Sequence, residues 1–162
     1  MTSDIHKPGS IPLPALLGVV EDALWDDFQN DLVGAGYGDI RPGHGCVFRF
    51  LHDGGMRLTE LAGLADMTKQ SAGEVIDDLV ELGYVERIPD PQDRRAKLIR
   101  LTPRGEVAQR IGFGLFGQLE ERWAERYGSE RLAQLRELLE EIAATEDPEA
   151  VPELAHQQLA NA

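Results

Sequence analysis

Residues 57–101 read RLTELAGLADMTKQSAGEVIDDLVELGYVERIPDPQDRRAKLIRL, and this stretch sets the expectations for the whole chain. Its middle part repeats apolar residues at intervals of three and four, the spacing of one helix face: Ala72, Val75, Ile76, Leu79 and Val80. Thr68 stands just before this pattern, where an N-cap is expected, and Gly83 follows it, where helices commonly need a left-handed residue. We therefore predict a helix over residues 69–82.

A second helix and a hairpin flank this one. Upstream, a shorter apolar pattern runs from Leu58 to Ala65 and stops two residues before Thr68, so the two helices must cross at a steep angle. Downstream, two β-prone runs bracket the turn-rich PDPQD of residues 89–93, which predicts a hairpin, or wing, over residues 84–101. Together these elements describe a winged helix-turn-helix over residues 42–101, in which the helix at 69–82 is the recognition helix.

The tip and return strand of the wing are basic, since they hold Arg94, Arg95, Lys97 and Arg100. Four cations are costly to crowd together unless solvent or phosphate faces them. The wing is therefore either a solvated charged loop or a phosphate-binding edge. The recognition-type helix directly before it favours the second interpretation.

The distribution of charge supports this interpretation although the total does not. The 162 residues carry a net charge of −13, which by itself opposes nucleic-acid binding. However, residues 87–110 hold seven of the sixteen Lys and Arg residues and only three acidic ones, a local charge of +4. A positive edge on an acidic body would orient the protein on DNA and suppress indiscriminate binding.

Composition bounds the remaining function classes. The length predicts a single domain over residues 1–162, and the lack of a long apolar run or a signal-like amino terminus predicts a cytoplasmic protein without a membrane partner. The only cysteine, Cys46, excludes an intrachain disulfide, and the four histidines show no ligand spacing, so we expect no metal and no cofactor. No catalytic motif stands out, and we expect no enzyme activity.

Amphipathic helices are predicted on both sides of the winged unit, over residues 12–35 and, as a pair, over residues 103–145. One winged unit could not cover three apolar stripes, so we expect these to be dimerisation helices of a two-fold homodimer. Residues 1–11 and 146–162 are expected to be flexible tails. The expected fold class is mainly α with a small β-hairpin wing.

The spacing of these features over about residues 13–145 resembles the MarR (multiple antibiotic resistance regulator) family of transcription factors. The family's wing carries an Asp-x-Arg signature and then Leu-Thr-x-x-Gly, which DRRAK at 93–97 and LTPRG at 101–105 match. The resemblance implies a homodimeric repressor or activator that reads a pseudo-palindromic operator in double-stranded DNA and often releases it on binding a small molecule. The DNA contacts that it implies, from the recognition helix and the wing, are Thr68, Lys69, Gln70, Ser71, Glu74, Asp93, Arg94, Arg95 and Lys97.

The chemistry of these side chains suits such roles. Gln70 can bridge N6 and N7 of adenine, and Lys69 can reach guanine or phosphate. In the family the wing arginine enters the minor groove, whose negative potential favours it, and an acidic neighbour orients it. These roles map onto Arg95 and Asp93, with Arg94 as the competing arginine. Past its first turn the recognition helix is acidic, and Glu74 either accepts from cytosine N4 or faces solvent.

Many relatives of this family hold a ligand in the crevice between the dimer helices and the winged unit. The candidates for such an effector pocket are aromatic and small residues: Trp25, Phe28, His44, Phe48, Phe113 and Phe116. The expected ligand is a small aromatic or amphipathic molecule, and the alternative for each residue is plain core packing. Gly112, Gly114 and Gly117 interrupt the first helix of the pair predicted over residues 103–145. Each should cost about 0.5 to 1 kcal/mol of helix stability relative to alanine. Either a neighbouring helix approaches closely there, or space is left for a ligand.

Two further alternatives remain open from the sequence. Cys46 is either a small buried hydrophobe or an oxidant-sensing thiol, and the first role is the commoner one for cysteine. The acidic body also suits a winged-helix protein-interaction module that does not depend on DNA. Salt-dependent binding to DNA would separate such a module from a regulator.

Overall fold

A computed structural model of the chain describes residues 11–52, 54–93 and 95–147. Six helices are present in this part of the chain, with a 3-10 turn (Pro42–His44) before the second: α1 Leu13–Gly34, α2 Gly45–Phe50, α3 Leu58–Leu64, α4 Lys69–Glu81, α5 Pro103–Tyr127 and α6 Ser129–Glu146. The strands form one antiparallel sheet of order β1-β3-β2: β1 Met56–Arg57, β2 Val85–Pro89 and β3 Lys97–Leu101. The predicted fold class, mainly α with a small β wing, is confirmed.

Capping residues place the helix ends where the sequence predicts them. The Thr68 hydroxyl accepts from the backbone N–H of Ser71 at 3.1 Å, which starts α4 at Lys69. Gly83 has a φ of 77°, the left-handed value expected just after a helix. The Thr102 hydroxyl accepts from the N–H of Gly105 at 3.1 Å and starts α5. These hydrogen bonds between near neighbours determine where α4, the predicted recognition helix, and α5 begin.

The sheet contains one strand that the sequence pattern does not reveal. Met56 and Arg57 pair with Ile99 and Leu98, so the wing hairpin is extended by a third, two-residue strand. The approach is close because a Cβ at Gly55, where φ is 77°, would lie 2.5 Å from the carbonyl oxygen of Ile99. Two residues are too few to show the alternation that marks a strand.

The core of the winged unit lies between α4, the sheet and the start of α5. Ile76 and Leu79 of α4 are fully buried together with Tyr84, whereas Val80, expected on the same apolar face, is 37% exposed. The prediction for Val80 is wrong because α4 turns this position away from the sheet and towards solvent. At Gly105 a Cβ would lie 2.0 Å from the carbonyl oxygen of Tyr84, so only glycine allows α5 to approach the residue that precedes β2.

The flanking helices leave much of their apolar surface exposed. α1 packs on α5 and α5 packs on α6, but α6 buries none of its residues and α1 buries only Leu32. The large apolar side chains exposed on these two helices include Leu13, Leu16, Leu17, Val20, Leu135, Leu138, Leu139 and Ile142. None of the described helices is long and apolar enough to cross a membrane. The tails predicted at 1–11 and 146–162 lie outside the described residues, apart from Ile11, Asp147 and Glu146, which ends α6.

Candidate nucleic-acid interface

The first turn of the recognition helix presents polar side chains to solvent. The hydroxyls of Thr68 and Ser71 lie 2.9 Å apart and are both engaged in the cap, while Lys69 and Gln70 are exposed. The Gln70 amide nitrogen donates to a Glu74 carboxylate oxygen at 3.2 Å. One amide hydrogen and the amide oxygen of Gln70 therefore remain available to a ligand. The sequence placed these residues on one face, and only the structure connects Gln70 with Glu74.

The acidic residues further along α4 are paired within the chain. Asp77 Oδ1 forms an ion pair with Nη1 of Arg87 in β2 at 2.6 Å. Asp78 pairs with Arg41, which precedes the 3-10 turn. These pairs lower the repulsion that two carboxylates on a recognition helix would exert on phosphate. Sequence reasoning missed both partners because no periodicity relates Arg87 to Asp77, or Arg41 to Asp78, which lies 37 residues away.

His44, a candidate for the effector pocket, lies instead beside this ion pair. It is 2% exposed, its Nδ1 accepts from the backbone N–H of Arg41 at 3.2 Å, and its Nε2 lies 3.7 Å from Asp78. Burial and then the charge of Arg41 lower the pKa of His44, while Asp78 acts in the opposite direction. His44 is therefore neutral at pH 7 and braces the loop that carries Arg41.

Asp90 organises the wing, and sequence reasoning did not single it out. Its side chain is only 6% exposed, and it accepts from Arg57 Nε at 2.8 Å and from the backbone N–H of Gln92 at 2.8 Å. The hydrogen bond from Gln92 and then that from Arg57 hold the pKa of Asp90 below its usual value. The hydrogen bond to the amide two residues on is an Asx turn, for which the PDP of residues 89–91 was an available signal.

Asp93 shapes the backbone at the wing tip. Its carboxylate accepts from the backbone N–H of Arg95 at 3.0 Å and lies 3.8 Å from the guanidinium of Arg57. The side chains of Arg95 and Lys97 are exposed. Arg94, the competing wing arginine, lies outside the described residues. Asp93 thus orients the main chain that carries Arg95.

Several cations of the basic segment are already in ion pairs. Arg87 contacts Asp77, Arg100 contacts Glu86 across the hairpin at 2.5 Å, and Arg104 contacts Asp39 at 3.0 Å. Among the described residues of this segment, the cations without an ion-pair partner are Arg95, Lys97 and Arg110. Arg95 and Lys97 lie on the wing beside α4. The positive edge therefore concentrates at the wing tip.

Three of the six aromatic pocket candidates form one cluster. The rings of Phe28 and Phe116 stack with centroids 4.1 Å apart, and Trp25 meets both edge-on at 5.7 and 5.9 Å. Beside the cluster, α1 and α5 enclose a cavity of about 220 Å³, lined by Glu21, Leu24, Trp25, Phe116, Leu119 and Glu120. Two of the six predicted residues, Trp25 and Phe116, line this cavity.

The other pocket candidates and the interrupting glycines have different surroundings. Phe48 packs edge-on against Tyr84 with centroids 5.7 Å apart, and Phe113 is half-buried on α5. A Cβ at Gly112 would lie 3.7 Å from the Phe28 ring, whereas Cβ atoms at Gly114 and Gly117 would meet nothing within 4 Å. The Phe28 ring thus leaves room for a Cβ at Gly112 in ordinary van der Waals contact, and the other two glycines face space that the described chain does not fill.

Cys46 is a partly buried thiol near the start of α2. The Cys46 thiol lies 3.4 Å from the carbonyl oxygen of Gly43 and 3.7 Å from the sulfur of Met67. Burial raises the pKa of Cys46, which disfavours the reactive thiolate. Within residues 11–52, 54–93 and 95–147, no group of three His, Cys, Asp or Glu side chains could hold a metal ion.

The helix pair, the three-stranded wing and the exit helix define a winged helix-turn-helix protein. The MarR family model matches residues 39–96. The transcriptional regulator PA4135 is 30% identical, over 82% of this chain and 96% of that one, with a TM-score of 0.63. The chain belongs to the MarR family of transcriptional regulators.

Two further solved structures share the fold. The reduced form of MarR from E. coli is 25% identical, over 82% of this chain and 97% of that one, with a TM-score of 0.72. The transcriptional repressor CouR, bound to a 23-mer DNA duplex, is 23% identical, over 82% of this chain and 92% of that one, with a TM-score of 0.68. No curated protein sequence matches the chain.

Proposed function

We propose that this chain is a homodimeric regulator that binds a pseudo-palindromic operator in double-stranded DNA and is released by a small-molecule effector. The observation that carries the proposal is the division of charge at the recognition helix. Asp77 and Asp78 are bound to arginines of the same chain, while Lys69, Gln70 and the wing residue Arg95 remain exposed. CouR, a protein of the same fold, is bound to a DNA duplex, which supports a DNA-binding role for this fold.

Each exposed residue has a distinct role in this proposal. Lys69 binds guanine or phosphate in the major groove, and Gln70 reads adenine through its amide oxygen and remaining hydrogen. Glu74 orients the amide of Gln70, with which it already shares a hydrogen bond, and does not itself read cytosine. Arg95 enters the minor groove, and Lys97 binds phosphate. Thr68 and Ser71 hold the helix start, and whichever of the two hydroxyls accepts within the pair donates its own hydrogen to the backbone of the DNA.

The homodimer is supported by the flanking helices. The exposed apolar side chains of α1 and α6, such as Leu16 at 42% and Leu138 at 54%, form stripes at helical spacing. A monomeric protein rarely leaves such contiguous apolar surface in water. Packing against the same helices of a second copy covers both stripes and gives the two recognition helices two-fold symmetry.

The effector role is assigned to the cavity beside Trp25 and Phe116. Its volume of about 220 Å³ suits one aromatic ring with a small substituent, and its walls come from α1 and α5. A ligand there would change the spacing of the two helices and so the separation of the winged units in the dimer. Binding is measured by the change in Trp25 fluorescence, with Trp123 replaced by phenylalanine to remove the second tryptophan signal.

The DNA-binding proposal is tested by selecting duplexes from a random pool and measuring their affinity as the salt concentration rises. A regulator with several phosphate contacts loses affinity by orders of magnitude between about 50 and about 200 mM salt, with a slope near −0.9 per neutralised phosphate. Enrichment of one palindromic sequence with this slope supports the proposal. No enrichment and no salt dependence would indicate the alternative, a winged-helix module that docks on another protein.

A further inference from the structure

An ion pair between Arg57 and Asp90 connects the wing with the helix-turn-helix. Arg57 pairs with Leu98 in the sheet and immediately precedes α3, so its backbone is fixed to both parts. Its guanidinium donates from Nε at 2.8 Å and from Nη2 at 2.5 Å to the same carboxylate oxygen of Asp90. Asp90 lies just beyond the end of β2 and is 6% exposed. The pair is therefore well placed to set the position of the hairpin tip.

Hydrogen bonds connect Asp90 with the backbone of the segment that leads to Arg95. The backbone N–H of Asp90 donates to the carbonyl oxygen of Ala96 at 3.1 Å, and the N–H of Ala96 donates to that of Asp93 at 2.9 Å. The carboxylate of Asp93 in turn accepts from the N–H of Arg95 at 3.0 Å. A displacement of Asp90 would therefore move the backbone that carries Arg95.

We infer that Arg57 is a positioning residue for DNA binding, which acts through Asp90 to hold Arg95 at the depth where it enters the minor groove. The inference rests on the proposed function, in which Arg95 is the wing arginine. Removal of Arg57 leaves a largely buried carboxylate that keeps its hydrogen bond from Gln92 but has lost its positively charged partner, which is unfavourable unless the segment shifts towards water. Loss of Arg57 thus displaces the wing in addition to removing one charge.

A double-mutant cycle on a duplex selected by the wild-type protein tests this action through the wing. Arg57→Ala is expected to weaken binding about tenfold in the wild type and less than about twofold in the Arg95→Ala background. Such coupling means that Arg57 contributes only while Arg95 is present. Equal losses in both backgrounds would overturn the inference, because they would mean that Arg57 binds DNA independently of the wing.

Two control variants separate position from charge. Arg57→Lys keeps the positive charge but cannot donate through two nitrogens of a planar fork, so it is expected to lose most of the affinity that Arg57→Ala loses. Full affinity in this variant would mean that Arg57 serves as a charge for phosphate. Arg100→Ala removes a similarly exposed cation of the same sheet, paired with Glu86, and its effect is expected to add to that of Arg95→Ala.

Hydrogen exchange tests, without DNA, whether the Arg57–Asp90 ion pair holds the wing tip in position. In Arg57→Ala the amides of Asp90 and Ala96 are expected to exchange faster, while amides in the middle of α4 keep their protection. Asp90→Asn, which keeps the shape and removes the charge, gives the same pattern if Arg57→Ala folds poorly. Unchanged exchange at both wing amides would overturn the inference even where the wild type binds DNA. A wild type without salt-dependent DNA binding would instead refute the proposed function, whatever the exchange result.

Discussion

The winged unit and the flanking helices differ in how far one chain completes them. In the winged unit, Ile76, Leu79, Tyr84 and Ile99 are buried at 2% exposure or less, and two carboxylates of α4, those of Asp77 and Asp78, have cationic partners. In the flanking helices, α6 buries no residue and α1 buries one. The winged unit is therefore folded by its own contacts. The flanking helices are completed by a second copy in the homodimer that we propose, and the following predictions test this contrast.

The largest effect is expected from a charge placed on the exposed stripe of α6. Leu138→Glu puts a carboxylate where the second copy packs, and the dissociation constant of the dimer is expected to rise at least about 100-fold, or about 3 kcal/mol. Sedimentation equilibrium measures the change. Ala133→Glu makes the same charge change at an exposed position on the opposite face of α6 and is expected to leave the dimer intact. A monomeric wild type, or equal effects of both variants, would contradict the assignment of this face.

Two glycines of α5 allow the two regions to be compared within one helix. Gly105 contacts the winged unit, and Gly114 lies in the flanking part of α5. Gly105→Ala forces a Cβ against the carbonyl oxygen of Tyr84, so we expect the free energy of unfolding to fall by about 1 to 3 kcal/mol. Gly114→Ala meets nothing within 4 Å in the chain, and its better helix propensity is expected to raise stability by up to about 1 kcal/mol. Urea denaturation gives both values. A loss at Gly114 as large as that at Gly105 would place another chain segment against Gly114.

A pH dependence is expected from His44 in the winged unit. Burial lowers its pKa in the folded state, so the unfolded chain binds the proton more readily. Stability is therefore highest above the ordinary histidine pKa of about 6.5 and falls as the pH drops through that value towards the folded-state pKa. His44→Gln, whose amide oxygen can accept from the Arg41 N–H, should lose this component of the pH profile. His52→Gln, at an exposed histidine, should keep it, and a wild-type stability that rises on acidification would contradict the account.

The smallest effect is expected from releasing one of the arginines beside α4. Asp77→Asn removes the partner of Arg87, and binding to random-sequence duplex is expected to strengthen a few-fold, with a salt slope steeper by about one phosphate contact. The control is Asp27→Asn on α1, which changes the net charge equally but far along the chain from the wing. Identical effects of the two variants would mean that overall charge, and not the release of Arg87, determines the background affinity.

Local signals allowed much of the fold to be predicted. Hydroxyl caps at Thr68 and Thr102 and the left-handed Gly83 mark helix ends through hydrogen bonds to near neighbours, so the sequence alone locates them. The first turn of the recognition helix and the wing tip were placed for the same reason. The flanking amphipathic helices could also be predicted from the spacing of their apolar residues. That spacing is the same whether the apolar face is buried in one chain or left exposed.

Contacts between distant residues could not be predicted in the same way. The strand at residues 56–57 shows no pattern, and the partners Arg41 of Asp78 and Arg57 of Asp90 lie 37 and 33 residues away. His44 was grouped with the aromatic residues because the sequence does not reveal its neighbours Arg41 and Asp78. Ion pairs between surface elements depend on the angle at which the elements cross. The spacing of residues along the sequence does not determine that angle.

We propose above all that the chain reads DNA with α4 and the exposed arginine of the wing, Arg95. The most direct test is the affinity of the wild type and of Arg95→Ala for a duplex selected by the wild-type protein, measured by fluorescence anisotropy at fixed salt. Arg126→Ala, at an exposed arginine near the end of α5, is the charge-matched control. We expect Arg95→Ala to cost about 1 to 3 kcal/mol of binding free energy and Arg126→Ala to cost little. Equal affinities of the wild type and Arg95→Ala would contradict the claim.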